Sequence, residues 1–392
     1  MAKRNAQGAG NLRKKTVIRN GKEYVFWEGR LTVGVDPGTG RQIRKSFSGK
    51  TQKEVREKMQ AAAVTINEGT YQAPTKMTMQ EWFSIWASEY LGAVKPRTVD
   101  SYKATIKNHL NPAFGAMRLQ ALQAHQVQTF CNMLQKDGLS PKTIKNTVGV
   151  LHAALQQAVE LGYIRFNPAS SCKLPRIEKV EIKPLDDAGI AQFMQAIQGH
   201  RFENVYLTTL FTGMREGEVL GLTWDCIDFS AGTILIKHQL QRVRGEDGHY
   251  DLVSPKNGKS RRITPAETVL KILKRQKADQ ARNRLRAGDL WNNPLNLVFT
   301  NEIGHNLSAQ TVYLDFKKVM QAIGFPDTRF HDLRHSYAVA ALRSGDDLKT
   351  VQENLGHYTA AFTLDVYGHV TDQMRTESAN RMEAFIERVS GK

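Results

Sequence analysis

Two proline-bearing stretches, residues 71–77 with Pro74 and residues 173–185 with Pro175 and Pro184, interrupt this 392-residue chain, and its apolar periodicity differs on either side of each. Before the first, apolar and β-branched residues come in short strand-like runs. Between the two they recur every third or fourth residue, and after the second both patterns mix. A chain that changes period in this way is not expected to wrap around one core. Three modules are expected, 1–75, 76–180 and 181–392, at a length that suits two to three domains. The fold class that follows is α+β. It comprises a small three-stranded sheet with one helix, then a helical bundle, then a mixed, mainly α domain with a small antiparallel sheet.

In the first module, strand-like runs are predicted at 16–18, 24–35 and 42–47. Asn20-Gly21 is a hairpin turn signal, and 36–40, with Gly38 and Gly40, supplies a second turn. Thr51 followed by Glu54 reads as a capping box that opens a helix running to about Asn67. Arg30, Arg41, Arg44 and Lys45 are expected on exposed strand faces, and a sheet of this width can enter a DNA major groove.

From Thr78 the texture is helical. Met79, Trp82, Phe83, Trp86 and Tyr90 form an apolar stripe behind a Thr78/Glu81 cap. A second helix starts at Lys95-Pro96-Arg97 and runs through Tyr102 and Ile106 to Leu110, and a third covers 126–134. A fourth starts at Ser140-Pro141, with Ile144, Val148, Leu151 and Leu155 on its stripe. The basic helix starts, Lys95 with Arg97 and Lys142 with Lys145, are candidates for phosphate contact. Beyond 185, helices are expected at about 186–198, 203–213, 216–222, 266–285, 308–323, 331–344 and 347–355, with strands at 233–238, 239–243 and 260–264.

Charge narrows the partner. Lys and Arg number 55 against 38 Asp and Glu, a net +17, and residues 1–75 carry 15 against 6, so +9 of it sits in the first module. A surplus of this size calls for an anionic partner, and nucleic acid is the default. No apolar run approaches the ~18 residues of a membrane span, and the start MAKRNAQGAG has charge without an apolar core. A cytoplasmic protein with no membrane association is expected. Cys131, Cys172 and Cys226 are odd in number and far apart in sequence, so neither a disulfide framework nor a zinc knuckle is expected.

Four patches place polar residues where a core would want apolar ones. They are Thr212-Gly213-Met214-Arg215-Glu216-Gly217-Glu218, Ser254-Pro255-Lys256-Asn257-Gly258-Lys259, His331-Asp332-Leu333-Arg334-His335, and Leu355-Gly356-His357 with Tyr367 ten residues on. The order Arg-x-x-Glu, Lys in a turn, His-x-x-Arg, Leu-Gly-His, Tyr resembles the tyrosine recombinase (phage integrase) family over roughly residues 76–370. The strand-rich first module resembles the arm-site-binding domain of integrases from conjugative transposons.

The resemblance implies a site-specific recombinase that cuts and rejoins DNA through a 3′-phosphotyrosyl link and a Holliday junction, with no metal, ATP or other cofactor. Such chemistry needs a nucleophile that stays attached, cations on the non-bridging oxygens and an acid for the departing 5′-oxygen. Arg215 and Arg334 stand at the family's arginine positions as phosphate clamps, and Glu218 would orient them from behind. Lys256 stands where the family has its general acid. His331 would assist removal of the tyrosine proton, His357 would add a hydrogen bond to phosphate, and Tyr367 would be the nucleophile. Lys259 and Lys237 compete with Lys256, and Tyr358 competes with Tyr367.

By the same resemblance, module 1–75 would bind arm sites, 76–180 and 181–392 would grip the crossover site, and four protomers would assemble at synapsis. An excision partner and a bacterial host are implied as well. An apolar stripe on 371–389, with Met374, Ala379, Met382, Phe385, Ile386 and Val389, is expected to dock on a neighbouring protomer, packing back on its own catalytic domain being the alternative. Two other functions fit parts of the sequence. A DNA-binding repressor with a degenerate catalytic domain would have lost some of these residues. A metal-dependent nuclease could use the i, i+4 pair His331 and His335, but lacks a nearby carboxylate cluster.

Overall fold

The computed structural model describes residues 11–19, 22–35, 42–67, 75–178, 183–243, 249–255, 258–356 and 371–390. The chain divides into two compact units, Met1–Lys179 and Val180–Lys392. The class is α+β, as the periodicity predicts.

The first unit opens with an antiparallel sheet, β1 (Asn11–Arg19), β2 (Lys22–Val35) and β3 (Gln42–Gly49), with β2 in the centre, followed by α1 (Gln52–Asn67). Thr51 Oγ1 accepts from Glu54 N at 3.2 Å, but the Glu54 carboxylate reaches back to Lys50 N (2.9 Å) rather than to Thr51. The turns read at Asn20-Gly21 and at 36–40 lie outside the described residues. Side chains alternate across the sheet. Leu12, Trp27, Leu31 and Phe47 pack with Val55 and Met59 of α1. Gly29 shares their face, where a Cβ would sit 2.2 Å from Met59 Sδ, so the helix lies closer than any side chain at this position would permit.

The pleat corrects one expectation. Arg30 pairs with Ser46 and Thr32 with Arg44, which places Arg30 and Arg44 on the outer face. Lys45 pairs with Leu31 and therefore stands on the helix-covered side, its ammonium over the Phe47 ring. Arg41 lies outside the described residues.

The helical part comprises α2 (Met79–Glu89), α3 (Pro96–Thr105), a π-helical turn (Ile106–Leu110), α4 (Asn111–Phe114), α5 (Ala124–Lys136) and α6 (Pro141–Glu160). Thr78 and Glu81 form the predicted capping box, and Ser140 caps α6. The second helix does not run straight to Leu110. Pro112 lacks the N–H that an α-helical ladder would need, and the wider turn just before it accommodates that loss. Trp82 is fully buried, with its indole Nε1 donating to Ala154 O on α6 at 2.9 Å. Cys131 and Cys172, far apart in sequence, bring their sulfurs to 2.9 Å as free thiols.

The second unit is built around α8 (Glu203–Thr212), buried from Val205 to Leu210 and again at Thr212, where Thr209 and Thr212 satisfy their hydroxyls on the carbonyls of Val205 and Thr208. Around it lie α7 (Asp187–Ala196), α9 (Glu216–Leu220), α10 (Glu267–Ala287), α11 (Ala309–Ala322), α12 (Phe330–Arg343) and α13 (Leu348–Leu355). Tyr206 meets Phe193, Phe316 and Phe330 at ring distances of 5.7–6.1 Å. Two small antiparallel sheets are present where one was expected. One is ordered β4 (Ile227–Asp228), β5 (Thr233–Ile236), β8 (Arg261–Ile263); the other pairs β6 (Gln239–Arg242) with β7 (Tyr250–Val253). The 254–259 segment therefore links strands of different sheets rather than closing a hairpin. The last helix, α14 (Thr371–Ser390), leaves Met382, Phe385, Ile386 and Val389 exposed.

Candidate active site

The site forms where α8 ends. Gly213 stops the helix in the left-handed region (φ 63°), and a Cβ there would meet Tyr337 at 2.5 Å and Leu355 at 2.7 Å. Only glycine fits both the turn and the space. Two residues later Arg215 opens α9. Its backbone N donates to Glu218 Oε2 (2.9 Å) and its Nη1 to Glu218 Oε1 (2.7 Å). The Glu218 side chain is fully buried. The sequence did not single out the residue on its other side, Arg261 at the start of β8. Arg261 Nη1 and Nη2 donate to Oε1 and Oε2 of Glu218 at 2.9 and 2.6 Å. Burial alone would raise the Glu218 carboxyl, but the Arg261 fork and the Arg215 charge outweigh it and hold it at about 2.

Arg334 approaches from α12. It is 1% exposed, with Nη1 on Gly213 O at 2.7 Å and Nη2 on Leu355 O at 2.5 Å. Arg215 Nη2 lies 3.3 Å from Gly356 O, and Arg261 Nε 2.7 Å from Asn354 O. Three consecutive carbonyls at the end of α13 thus each receive a different arginine. The last carbonyls of a helix have no partner within it and carry the negative end of its dipole, which is why they attract cations. Gly356, at φ 63° and ψ 44°, ends α13, and His357 follows it.

His331 lies one turn before Arg334 on α12 and is exposed on one side. Desolvation by the surrounding walls, then the Arg334 and Arg215 charges, push its imidazole down to about 4, leaving it neutral near pH 7. His335 is buried with its ring edge-on to His331 at 5.0 Å, and desolvation followed by His331 pushes it down to about 4 as well. At the start of α12, Asp332 accepts from Arg329 N (2.7 Å) and Arg329 Nη2 (2.8 Å). Among the described residues, no group of three His, Cys, Asp or Glu converges to hold a metal ion.

A pH prediction follows from the histidines. Unfolded histidine titrates near 6.5, while the folded pair takes up protons only near 4. As pH falls from 6.5 toward 4 the unfolded chain gains protons that the folded chain does not, so stability should drop across that window. The Glu218 contribution is lost at lower pH, between 4.5 and about 2. Urea midpoints at pH 7.5, 6 and 5 should decline in the wild type and decline less in His335→Asn. A wild-type midpoint independent of pH would contradict this.

Lys256, His357 and Tyr367 lie outside the described residues. Gly258 N donates to Pro255 O at 2.8 Å across positions 256 and 257. Of the competing lysines, Lys237 is paired with Asp225 at 2.7 Å, and Lys259 is exposed. A tyrosine not considered from sequence, Tyr337, fills the space beside Gly213. Its hydroxyl accepts from Asn354 Nδ2 at 3.2 Å and burial holds the phenol above its ordinary value, so it is a packing residue rather than a ready nucleophile. In the first unit, Lys95 and Arg97 stand exposed at the start of α3, and Lys142 and Lys145 at the start of α6. On the outer sheet face, Glu28 binds Arg13 through two nitrogens, the longer contact at 2.8 Å, with Lys15 at 3.6 Å and Arg30 at 3.9 Å. Sequence reasoning named neither Arg13 nor Lys15 there. Their alternation along β1 is the signal that could have found them.

The arginine cluster at the end of α13 gathers three guanidinium groups of the kind that bind anions, and comparison with known proteins gives the class. The profile of the Phage integrase family matches residues 183–374, and that of the phage integrase N-terminal SAM-like domain matches 78–135. A protein named tyrosine recombinase XerC-like from Caldanaerobacter subterraneus subsp. tengcongensis is 31% identical over 388 residues, covering 94% of this chain and 98% of the relative. The ICEBs1 integrase of Bacillus subtilis is 25% identical over 387 residues, covering 94% and 99%. Among solved structures, the Tn1549 transposon integrase in complex with transposon right end DNA superposes with a TM-score of 0.67 at 23% identity, covering 78% of this chain and 100% of that one. A lambda integrase tetramer bound to a Holliday junction gives 0.56 at 17% identity, covering 88% and 96%. The chain belongs to the phage integrase family of tyrosine recombinases. It is a tyrosine-type site-specific DNA recombinase.

Proposed function

We propose that the chain recombines a mobile element with its target through a 3′-phosphotyrosyl intermediate and a Holliday junction, using neither metal nor ATP. The observation that carries this reading is the seating of Arg261, Arg334 and Arg215 on the successive carbonyls of Asn354, Leu355 and Gly356. Arg215 and Arg334 converge there beside a neutral His331, which suits a site that receives an anion. Their guanidinium groups exchange carbonyl contacts for the non-bridging oxygens of the scissile phosphate.

The phenol oxygen of Tyr367 attacks phosphorus as its proton passes to neutral His331, and the new O–P bond replaces the bond to the 5′-oxygen. That oxygen leaves as a hydroxyl with a proton from Lys256. His357 donates a hydrogen bond to the phosphate. Attack by the 5′-hydroxyl of another strand reverses these steps, releases Tyr367 and joins the strands anew.

In this reading, residues 1–75 bind arm sites through the outer face of the sheet, where Arg30 and Arg44 stand, with Arg41 on the same module. Residues 76–180, with Lys95, Arg97, Lys142 and Lys145, and residues 181–392 hold the crossover site in double-stranded DNA. The protein works on the DNA of a bacterial cytoplasm, and a separate directionality factor serves excision. A fragment starting at Lys76 should cleave crossover DNA at a rate within a few-fold of the full chain but lose affinity for arm sites. Separate binding of two sites by one chain raises occupancy through effective concentration. Loss of all cleavage in a folded fragment would count against this division of labour.

Two recombining duplexes present four cleavage sites, so the active assembly is a homotetramer. The exposed stripe Met382, Phe385, Ile386 and Val389 on α14 supports exchange of this tail to a neighbouring protomer in a cyclic arrangement. Deletion from Asp372 onward should spare binding of a single crossover site and impair ordered strand exchange. Cross-links from Phe385 confined to its own protomer in a recombining complex would overturn the exchange.

A further inference from the structure

We infer that Arg261 is a positioning residue for the Arg215 phosphate clamp, acting through Glu218; the inference rests on the reading of Arg215 given above. An ionised carboxylate offers about four acceptor positions, and Glu218 has a partner at each. Oε1 takes Arg215 Nη1 (2.7 Å) and Arg261 Nη1 (2.9 Å), while Oε2 takes Arg215 N (2.9 Å) and Arg261 Nη2 (2.6 Å). Arg215 alone supplies one donor to each oxygen, and only one of the two comes from its guanidinium; Arg261 supplies the second donor on each. The Arg261 fork fixes the carboxylate plane, and the plane fixes where Arg215 points.

The second anchor sits on the opposite side. Arg261 Nε donates to Asn354 O at 2.7 Å, two residues before the Gly356 carbonyl that Arg215 approaches. Arg261 therefore spans both supports of Arg215, the Glu218 carboxylate and the end of α13. Its own backbone is held in β8, paired with Ile236 of β5. The space is matched to this side chain, since a Cβ on Gly356 would lie 3.0 Å from Arg261 Cδ. Lysine cannot reproduce the arrangement, because an ammonium has no planar fork to address two carboxylate oxygens and a carbonyl along fixed directions.

The experiment is single-turnover cleavage of two nicked crossover duplexes that differ at the scissile position. One carries the natural phosphate and the other a methylphosphonate, in which a methyl group replaces one non-bridging oxygen and removes the negative charge. A clamp whose task is to neutralise that charge matters little on the second substrate. Arg261→Lys should cleave the phosphate on the order of 30-fold more slowly than wild type, less than the roughly 10²–10³-fold of losing a transition-state contact outright because Arg215 itself remains, and the methylphosphonate within about 3-fold of wild type. DNA affinity should stay within about 2-fold. The double variant Arg215→Ala, Arg261→Lys should be no slower on phosphate than Arg215→Ala alone, because the two residues act as one unit.

Arg261→Gln is the second variant should the lysine form fail to fold, with thermal melts as the check on both. Equal slowing on the two substrates, additive losses in the double variant, or wild-type rates in Arg261→Lys would overturn the assignment. Arg215→Ala separates the two levels of inference. If its own defect is not relieved on the methylphosphonate, the clamp reading of Arg215 fails and Arg261 has no clamp to position.

Discussion

Tyr367→Phe is expected to yield no covalent protein–DNA adduct and no recombinant product, with crossover-site binding unchanged. The expected effect is complete because the one oxygen that would form the covalent link is removed. The intermediate stores the energy of the broken phosphodiester in an O–P bond to the enzyme, and phenylalanine has no atom to form that bond. Among the described residues, Tyr337, packed against Gly213, has its hydroxyl engaged by Asn354 and its phenol held above the ordinary range. Gel-resolved trapping on a nicked substrate is the check, and an undiminished adduct in Tyr367→Phe would remove the residue from the mechanism.

Arg334→Ala should be the next most damaging single change. Arg334 is buried, and its donors to Gly213 O and Leu355 O tie the stop of α8 to the end of α13. Removing a transition-state charge contact slows the chemical step by roughly 10²–10³-fold. Removing the guanidinium also orphans two carbonyls, at about 1–3 kcal/mol for each buried group left unpaired. Both effects are expected, and they separate by measurement. Single-turnover cleavage should fall by at least two orders of magnitude at a temperature where melts show the variant folded, while DNA affinity changes only a few-fold. Arg334→Lys, which keeps the charge but not the fork, should recover stability more than rate. Cleavage that falls only as far as the folded fraction falls would reduce Arg334 to a structural residue.

Much of the fold was legible because local signals agree with one another. The Ser140-Pro141 start and the stripe Ile144, Val148, Leu151 and Leu155 define α6, and all four side chains are buried. The helix expected over 203–213 is α8, and Arg215, Glu218 and Arg334, singled out from the sequence, gather around Gly213 and the end of α13. What escaped depends on contacts between distant residues. Arg261 reads as one of two adjacent arginines on a short strand, and nothing local distinguishes it from Arg262. Its partners Glu218 and Asn354 are 43 and 93 residues away. Lys45 was misplaced by a single step of the pleat, which moves a side chain to the other face. Cys131 and Cys172 meet across 41 residues through helix packing that no spacing rule anticipates. The π-helical turn before Pro112 was missed because periodicity reads a continuous helix through it.

In the proposed mechanism DNA is held through Tyr367 by its 3′-phosphate. The most direct measurement is to incubate the full chain with a nicked crossover duplex in the presence of a metal chelator, trap the adduct, digest it and map the modified peptide by mass spectrometry. The expected result is a nucleotide joined through its 3′-phosphate to Tyr367, formed at the same rate with or without chelator. An adduct on Tyr358 or Tyr337, a linkage to a 5′-phosphate, or cleavage that stops when divalent ions are removed would contradict it.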